Sequence, residues 1–203
     1  MTRKLLIGTR NQHKLDRFKA LLSPLNLELH SLSDFNVDIV PDEDGLKPAE
    51  NELKKAKFYF SLTKVPTLSI DYGLYIDKFP KNLQPGLNVR RINNKKDVEV
   101  SDDELLDYYT EILGKYADGE SEGTWITGIA LVISKEKTYT DEYKSKTKFT
   151  QKRSKTLTPG EPLNSIQMLP SGKYKSEISA VEKAQNKSET DKLVYDFLKL
   201  HLI

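Results

Sequence analysis

Cysteine is absent from the 203-residue chain, which excludes disulfides, thiolate zinc sites, CxxC redox chemistry and a cysteine nucleophile together. Histidine is scarce: His13, His30 and His201 have no triad or metal partner in sequence and read as structural or surface residues, so any metal must be held by oxygen. Long apolar runs are also missing. The longest, Trp125 to Ile133, is interrupted by Thr127 and Gly128 and falls far short of the ~20 residues that span a bilayer, so no membrane partner is expected. The opening MTRKLLIGTRNQHK has too few consecutive apolar residues before Gly8 for a secretory signal, which makes the cytoplasm the default compartment. Neither charge sign prevails, with 32 basic against 30 acidic side chains and a net charge of +2, so nothing polyanionic is demanded of a partner. The apolar fraction of 37% lies below the typical ~45–50%, yet 10 Tyr, 7 Phe and 1 Trp with periodic apolar segments suffice for a core.

The length suits one domain over residues 1–203, with or without a lobe. Lys4 to Gly8 reads as a strand, and Leu15, Phe18, Leu21 and Leu22 then keep a helical period until Ser23-Pro24 stops it. Leu25 to His30 alternates as a second strand. An acidic loop, Pro41-Asp42-Glu43-Asp44-Gly45, leads to a helix from Pro48 with Leu53, Ala56 and Phe60 as its buried stripe. Val65 to Ile70 is a third strand, which places Asp71 where a sheet meets a turn. Ser101-Asp-Asp-Glu104 is a capping box for a helix with Leu105, Leu106, Tyr109, Ile112 and Leu113 inward, closed by Gly119 and Gly123. Two adjacent strands, Trp125 to Ile133 and Thr138 to Phe149, follow, and Ser188 opens a last helix. Helices alternating with strands first, and strands dominating later, give an α/β class with a mixed sheet.

Four local signals carry chemistry. Around the first turn, Thr9, Asn11 and Lys14 surround a helix N-terminus, whose free N–H groups and dipole attract phosphate; an ordinary capped helix has the same look. In Glu50-Asn51-Glu52-Leu53-Lys54-Lys55, Asn51 and Lys55 share a face and Glu50 sits one turn before Lys54. That set suits magnesium with phosphate, or else a surface helix with i,i+4 pairs. Asp71 at a strand end can position water or bind metal, or simply hold its turn. Pro85 to Arg91 presents two guanidiniums that could clamp phosphate oxygens, as a solvated loop also would.

In order and spacing, these pieces resemble the inosine triphosphate pyrophosphatase family, which hydrolyses deaminated purine nucleoside triphosphates to monophosphate and pyrophosphate. LLIGTRNQHK resembles its opening strand and TxNxxK loop, DEDGLKPAENELKKA its acidic-Gly loop and E-N-x-x-x-K-A helix, LSIDYGLYID its DDSGL strand end, and PGLNVRR its PGxxSAR turn. The resemblance implies an elongated mixed sheet with flanking helices forming two lobes around a central cleft, and commonly a homodimer. It implies that Thr9, Asn11, Lys14 and Asn51 bind substrate, that Glu50 and Asp71 hold Mg2+ with Asp71 activating water, and that Lys55, Arg91 and Lys183 neutralise phosphate.

The departures are local. Ile70 stands for the first of the paired acids and Tyr72 for the small Ser after them; Val89-Arg90 replaces Ser-Ala. The later base-holding segments are replaced by Gly160 to Gln167 and by Lys187-Ser-Glu-Thr190, which leaves the base open and makes altered base recognition the expectation. A catalytically weak or inactive nucleotide-binding relative is the rival reading. A second rival uses Lys144, Lys146 and Lys148, which alternate with Tyr143, Ser145, Thr147 and Phe149 and are followed by Lys152, Arg153 and Lys155. A solvated strand face that resists edge pairing is favoured there over nucleic-acid binding.

Overall fold

The computed structural model describes residues 3–93, 95, 100–179, 182 and 188–202. It is a mixed α/β structure with six strands hydrogen-bonded in the order β2-β1-β3-β4-β5-β6. The strands are β1 (Arg3–Ile7), β2 (Leu27–His30), β3 (Thr67–Ile76), β4 (Glu120–Val132), β5 (Thr138–Thr150) and β6 (Gln167–Met168). The helices are α1 (Gln12–Leu22), α2 (Pro48–Thr63), α3 (Asp102–Tyr116) and α4 (Glu189–Leu202). β1 pairs in parallel with both β2 and β3, whereas β5 and β6 are antiparallel. Parallel neighbours need a crossover, and α1 and α2 supply it.

The chain divides into two compact units. The first comprises residues 1–72, 127–143 and 188–203. β1 is apolar and buried on both faces from Leu5 to Ile7, as a parallel strand covered on both sides must be. Leu5, Ile7, Leu68 and Ile70 pack with Leu15, Phe18 and Leu22 of α1 and with Val194 and Leu198 of α4. Leu6 turns the other way, onto Tyr59 of α2. The buried positions of α2 are Pro48, Asn51, Glu52, Ala56 and Tyr59, so the stripe expected at Leu53, Ala56 and Phe60 is rotated about Ala56, with Leu53 and Phe60 half-buried. Its first turn lies against Gly128 of β4, where a Cβ would come within 2.3 Å of the Ala49 nitrogen and 2.4 Å of the Pro48 carbonyl carbon.

The second unit comprises residues 73–126 and 144–187. Leu105, Leu106, Tyr109, Ile112 and Leu113 are all buried, packed with Leu74, Ile76, Phe149 and Ile166. Both halves of the Ser101/Glu104 capping box form. Gly119, at φ +83°, donates its N–H to the Leu113 carbonyl and closes α3, while Gly123 lies within β4. On β5, Lys144 and Lys146 face solvent, Lys148 pairs with Glu120 at 2.8 Å, and Arg153 beyond the strand pairs with Asp107 at 2.6 Å.

One boundary differs in a way that matters for chemistry. β3 was expected to end at Ile70 but continues to Ile76, because Leu74 and Ile76 resume the buried alternation and Leu74 bridges Gly86 in both directions. Asp71 is therefore a mid-strand residue rather than a turn residue. No described helix is long and apolar enough to cross a membrane.

Candidate active site

The first turn of α1 is built from its own polar side chains. The Thr9 hydroxyl accepts from the Asn11 N–H at 3.2 Å, and the Asn11 side-chain oxygen caps the helix by accepting from the Lys14 N–H at 3.1 Å. Gly8 lets this turn lie close to α2 and β3: a Cβ there would meet Tyr59 at 3.1 Å and the Leu68 carbonyl oxygen at 3.2 Å. The turn so placed sends the Lys14 ammonium to Asp71, donating to Oδ1 at 2.5 Å.

Alternation along β3 puts Thr67, Ser69 and Asp71 on the side opposite Leu68 and Ile70. That side meets α2. Glu52 is fully buried there and accepts a hydrogen bond from the Ser69 hydroxyl. Lys55, one turn later, places its ammonium 2.8 Å from Glu52 and 2.7 Å from Glu43 of the preceding loop. One carboxylate oxygen from each of Glu43, Glu52 and Asp71 lies within 4.8 Å of the other two. Three acids and two ammonium groups thus converge from a loop, two helices and a strand.

The charges tune one another. Burial alone would lower the Lys55 pKa, but the Glu52 and Asp71 carboxylates outweigh it and raise it well above the ordinary lysine value. Burial pushes the Glu52 carboxyl up, reinforced by the Asp71 charge and opposed by Lys55 and Ser69. Asp71 goes the other way. Its burial is overcome by Lys14 and Lys55, with a hydrogen bond from the Tyr72 N–H, which together hold its carboxyl below the usual range. The site is thus a set of carboxylates and ammonium groups that shift one another's titration in opposite directions.

Lys14, Lys55 and Asp71 are thus brought together. Asn51 sits beside them in a supporting place, buried, its side-chain oxygen accepting from the Gly45 N–H at 2.6 Å and so pinning the acidic loop to α2. Glu50 is exposed, accepting from the Leu46 N–H at 3.0 Å. The α2 carboxylate that lies with Asp71 is Glu52, two residues on and therefore on the opposite side of the helix. Arg91 belongs to the second unit, where its N–H closes a turn onto the Asn88 carbonyl, and Lys183 lies outside the described residues. Glu43 and Glu52 escaped the sequence reading. The available signal was that Glu52 shares a face with Ala56 and Tyr59, a carboxylate on a buried stripe.

An α/β unit presenting carboxylates and ammonium groups between a strand, the N-terminal turn of one helix and the second and third turns of another has the chemistry to hold a polyanion together with a cation. The family model of the Ham1 family matches residues 5–156, and the chain belongs to that family. A dITP/XTP pyrophosphatase of Geobacter sulfurreducens is 43% identical over 77 residues, which are 38% of each chain. A dITP/XTP pyrophosphatase of Clostridium perfringens is 29% identical over 149 residues, 70% of this chain and 71% of that one. The match to the two Leptospira interrogans relatives spans 39% of their length. Among solved structures, a HAM1 protein from Coxiella burnetii superposes with a TM-score of 0.79 at 20% identity, over 98% of this chain and 100% of that one. The Ham1 protein of Staphylococcus aureus gives 0.76 at 18% identity, over 97% and 98%. These two establish the fold.

Proposed function

We propose that the protein is a nucleoside triphosphate pyrophosphohydrolase, converting a triphosphate and water to a monophosphate and pyrophosphate, on non-standard purine nucleotides with altered base recognition. The observation that carries this is the convergence of Lys14, Lys55, Asp71, Glu52 and Glu43 within one unit. The names of the relatives, dITP/XTP pyrophosphatases, support the substrate class. A homodimer in the cytoplasm completes the proposal, on the ground of family resemblance.

The donor set fits a hard divalent cation such as Mg2+: three carboxylates from three different segments, with the Ser69 hydroxyl beside Glu52 and, among the described residues, no His or Cys in the cluster. Glu43, Glu52 and Asp71 would hold it. Once bound, it would polarise phosphate oxygens and lower the pKa of a water. The chain does the rest. Lys14 at the N-terminal turn of α1 and Lys55, two turns into α2, take phosphate oxygens, so that charge is neutralised by groups already fixed in place. Asp71, kept ionised by its two lysines, is able to orient a water towards the phosphorus nearest the sugar and accept its proton. Hydrolysis of an anhydride by positioned water needs no protein nucleophile, consistent with a chain free of cysteine.

Pyrophosphate release over a panel of standard and deaminated nucleotides, with magnesium and with chelator, tests the proposal. Magnesium-dependent turnover of at least one triphosphate, abolished in Asp71→Asn, is expected. The native protein turning over none of them would overturn it.

A further inference from the structure

We propose that Tyr72 is a positioning residue for Lys14, forming with Arg17 and Asp191 a clamp that holds the Lys14 ammonium at Asp71; its effect on substrate rests on the phosphate role proposed for Lys14.

Asp71 and Tyr72 are successive residues of β3 and so project to opposite faces of the strand. Asp71 faces Glu52 and α2, while Tyr72 packs with Leu68, Ile70 and Phe18 on the α1 side. Lys14 nevertheless touches both: its ammonium donates to Asp71 at 2.5 Å and stands 5.1 Å from the centre of the Tyr72 ring. The register explains how. The β1 ladder reaches β3 at Leu68, opposite Ile7, and the α1 turn departs just beyond it. Asp71 and Tyr72 lie three and four residues further along, so the Lys14 side chain crosses from the α1 turn to reach both.

Such a crossing leaves a flexible four-carbon stem to be fixed from the side, and the ring does that. Arg17, one turn after Lys14, donates from one terminal nitrogen to the Tyr72 hydroxyl at 3.2 Å. Its Nε and other terminal nitrogen donate to Asp191 of α4 at 3.2 and 2.7 Å. Its guanidinium carbon is 5.8 Å from the same ring centre. Lys14 and Arg17, three apart on one helix, carry like charges that disfavour each other. Here each has its own carboxylate, and both rest against one π system. Tyr72 accordingly ties α1, α4 and β3 together at the residue next to Asp71, and fixes where the ammonium stands before any ligand arrives.

Two variants separate the ring from its bulk: Tyr72→Phe keeps the π face and loses the hydroxyl, and Tyr72→Leu fills the apolar space without a π face. The primary readout needs no substrate. In 15N-lysine-labelled protein the Lys14 ammonium resonance, identified by its disappearance in Lys14→Arg, is expected in the wild type and in Tyr72→Phe and lost to solvent exchange in Tyr72→Leu. In the turnover assay KM for the triphosphate should rise about tenfold in Tyr72→Leu with kcat within about twofold, and stay within about threefold in Tyr72→Phe. A Lys14 resonance unchanged in Tyr72→Leu, or Phe and Leu variants that behave alike, would overturn the clamp. If Tyr72→Leu does not fold, Asp191→Asn loosens Arg17 instead, and an undiminished Lys14 resonance there overturns it equally. An ordered Lys14 ammonium lost only in the Leu variant, in a protein that hydrolyses no nucleotide, would support the clamp and refute the hydrolase reading.

Discussion

Glu52 is the residue with the least freedom in the site. It has no exposed surface, one hydrogen bond from Ser69 and one from Lys55, and its charge faces that of Asp71. Burying such a carboxylate costs stability that its partners offset only in part. Glu52→Gln removes the charge and keeps an oxygen for Ser69, while Glu43 remains as the Lys55 partner. Stability in urea should therefore stay within about 1 kcal/mol of wild type or rise. Turnover should fall by about a hundredfold or more if the proposed cation site is right, because several kcal/mol of transition-state stabilisation would depend on the cation Glu52 is proposed to help hold. A large loss of stability with activity retained would assign Glu52 to structure alone. Ile70 belongs to the same account: the chain has an apolar core residue where the resembling motif has an acid, and a carboxylate from α2 now faces Asp71 instead.

At the scale of elements, the site depends on how closely two helix starts approach the sheet. The first turn of α2 touches Gly128 of β4 through backbone atoms, which cannot swing aside as a long side chain can. Gly128→Ala should cost about 1–3 kcal/mol by overpacking. At roughly 2–4 °C per kcal/mol for a chain of this size it should lower Tm measurably. Turnover should fall with it, since Glu52 and Lys55 follow on the same helix one and two turns after the displaced atoms. An unchanged Tm would mean that α2 is less firmly seated than the contact implies. For α1 the corresponding lever is its cap: Asn11→Ala should destabilise by about 1 kcal/mol and raise KM, because the same amide oxygen holds the Lys14 backbone. The capping box of α3 titrates. Its Glu104 carboxyl is held down to about 2, chiefly by hydrogen bonding to Lys95 and also by the Ser101 N–H. A carboxyl depressed in the folded state stabilises above its unfolded value and loses that contribution as pH falls towards its folded one. Glu104→Gln should therefore flatten the decline of stability between about pH 4.5 and pH 2 in urea titrations, leaving its shape above pH 5 unaltered.

At the scale of the whole molecule, what could be read from the sequence was what period and punctuation encode. Leu15, Phe18 and Leu22 gave α1, Ser101 with Glu104 gave the start of α3, and the pair of strands on either side of Ser134 to Lys137 was visible from their alternation. The end of β3 was not, since Asp71-Tyr72-Gly73 is turn-like composition and only tertiary pairing with Gly86 carries the strand through it. For the site, the motif named Lys14, Lys55 and Asp71, which lie on converging elements, and Glu50 on α2, whereas the α2 carboxylate lying beside Asp71 is Glu52, a half-turn away on the buried side of the helix.

The same charges make a prediction for ligand binding as a whole. Without ligand, the three acids pair with Lys14 and Lys55. A cation and a phosphate chain arriving together would satisfy the acids and release the two lysines to phosphate, whereas either alone would leave charges of one sign facing each other. Magnesium with inorganic tripolyphosphate should therefore raise Tm well beyond the sum of the separate shifts. At a hundred times the dissociation constant the linkage is worth about 2.7 kcal/mol, or roughly 5–10 °C here. Differential scanning calorimetry over the four conditions, with Asp71→Asn in parallel, provides the measurement. Additive shifts, or a shift that survives in Asp71→Asn, would mean that the carboxylates and lysines do not act as one site.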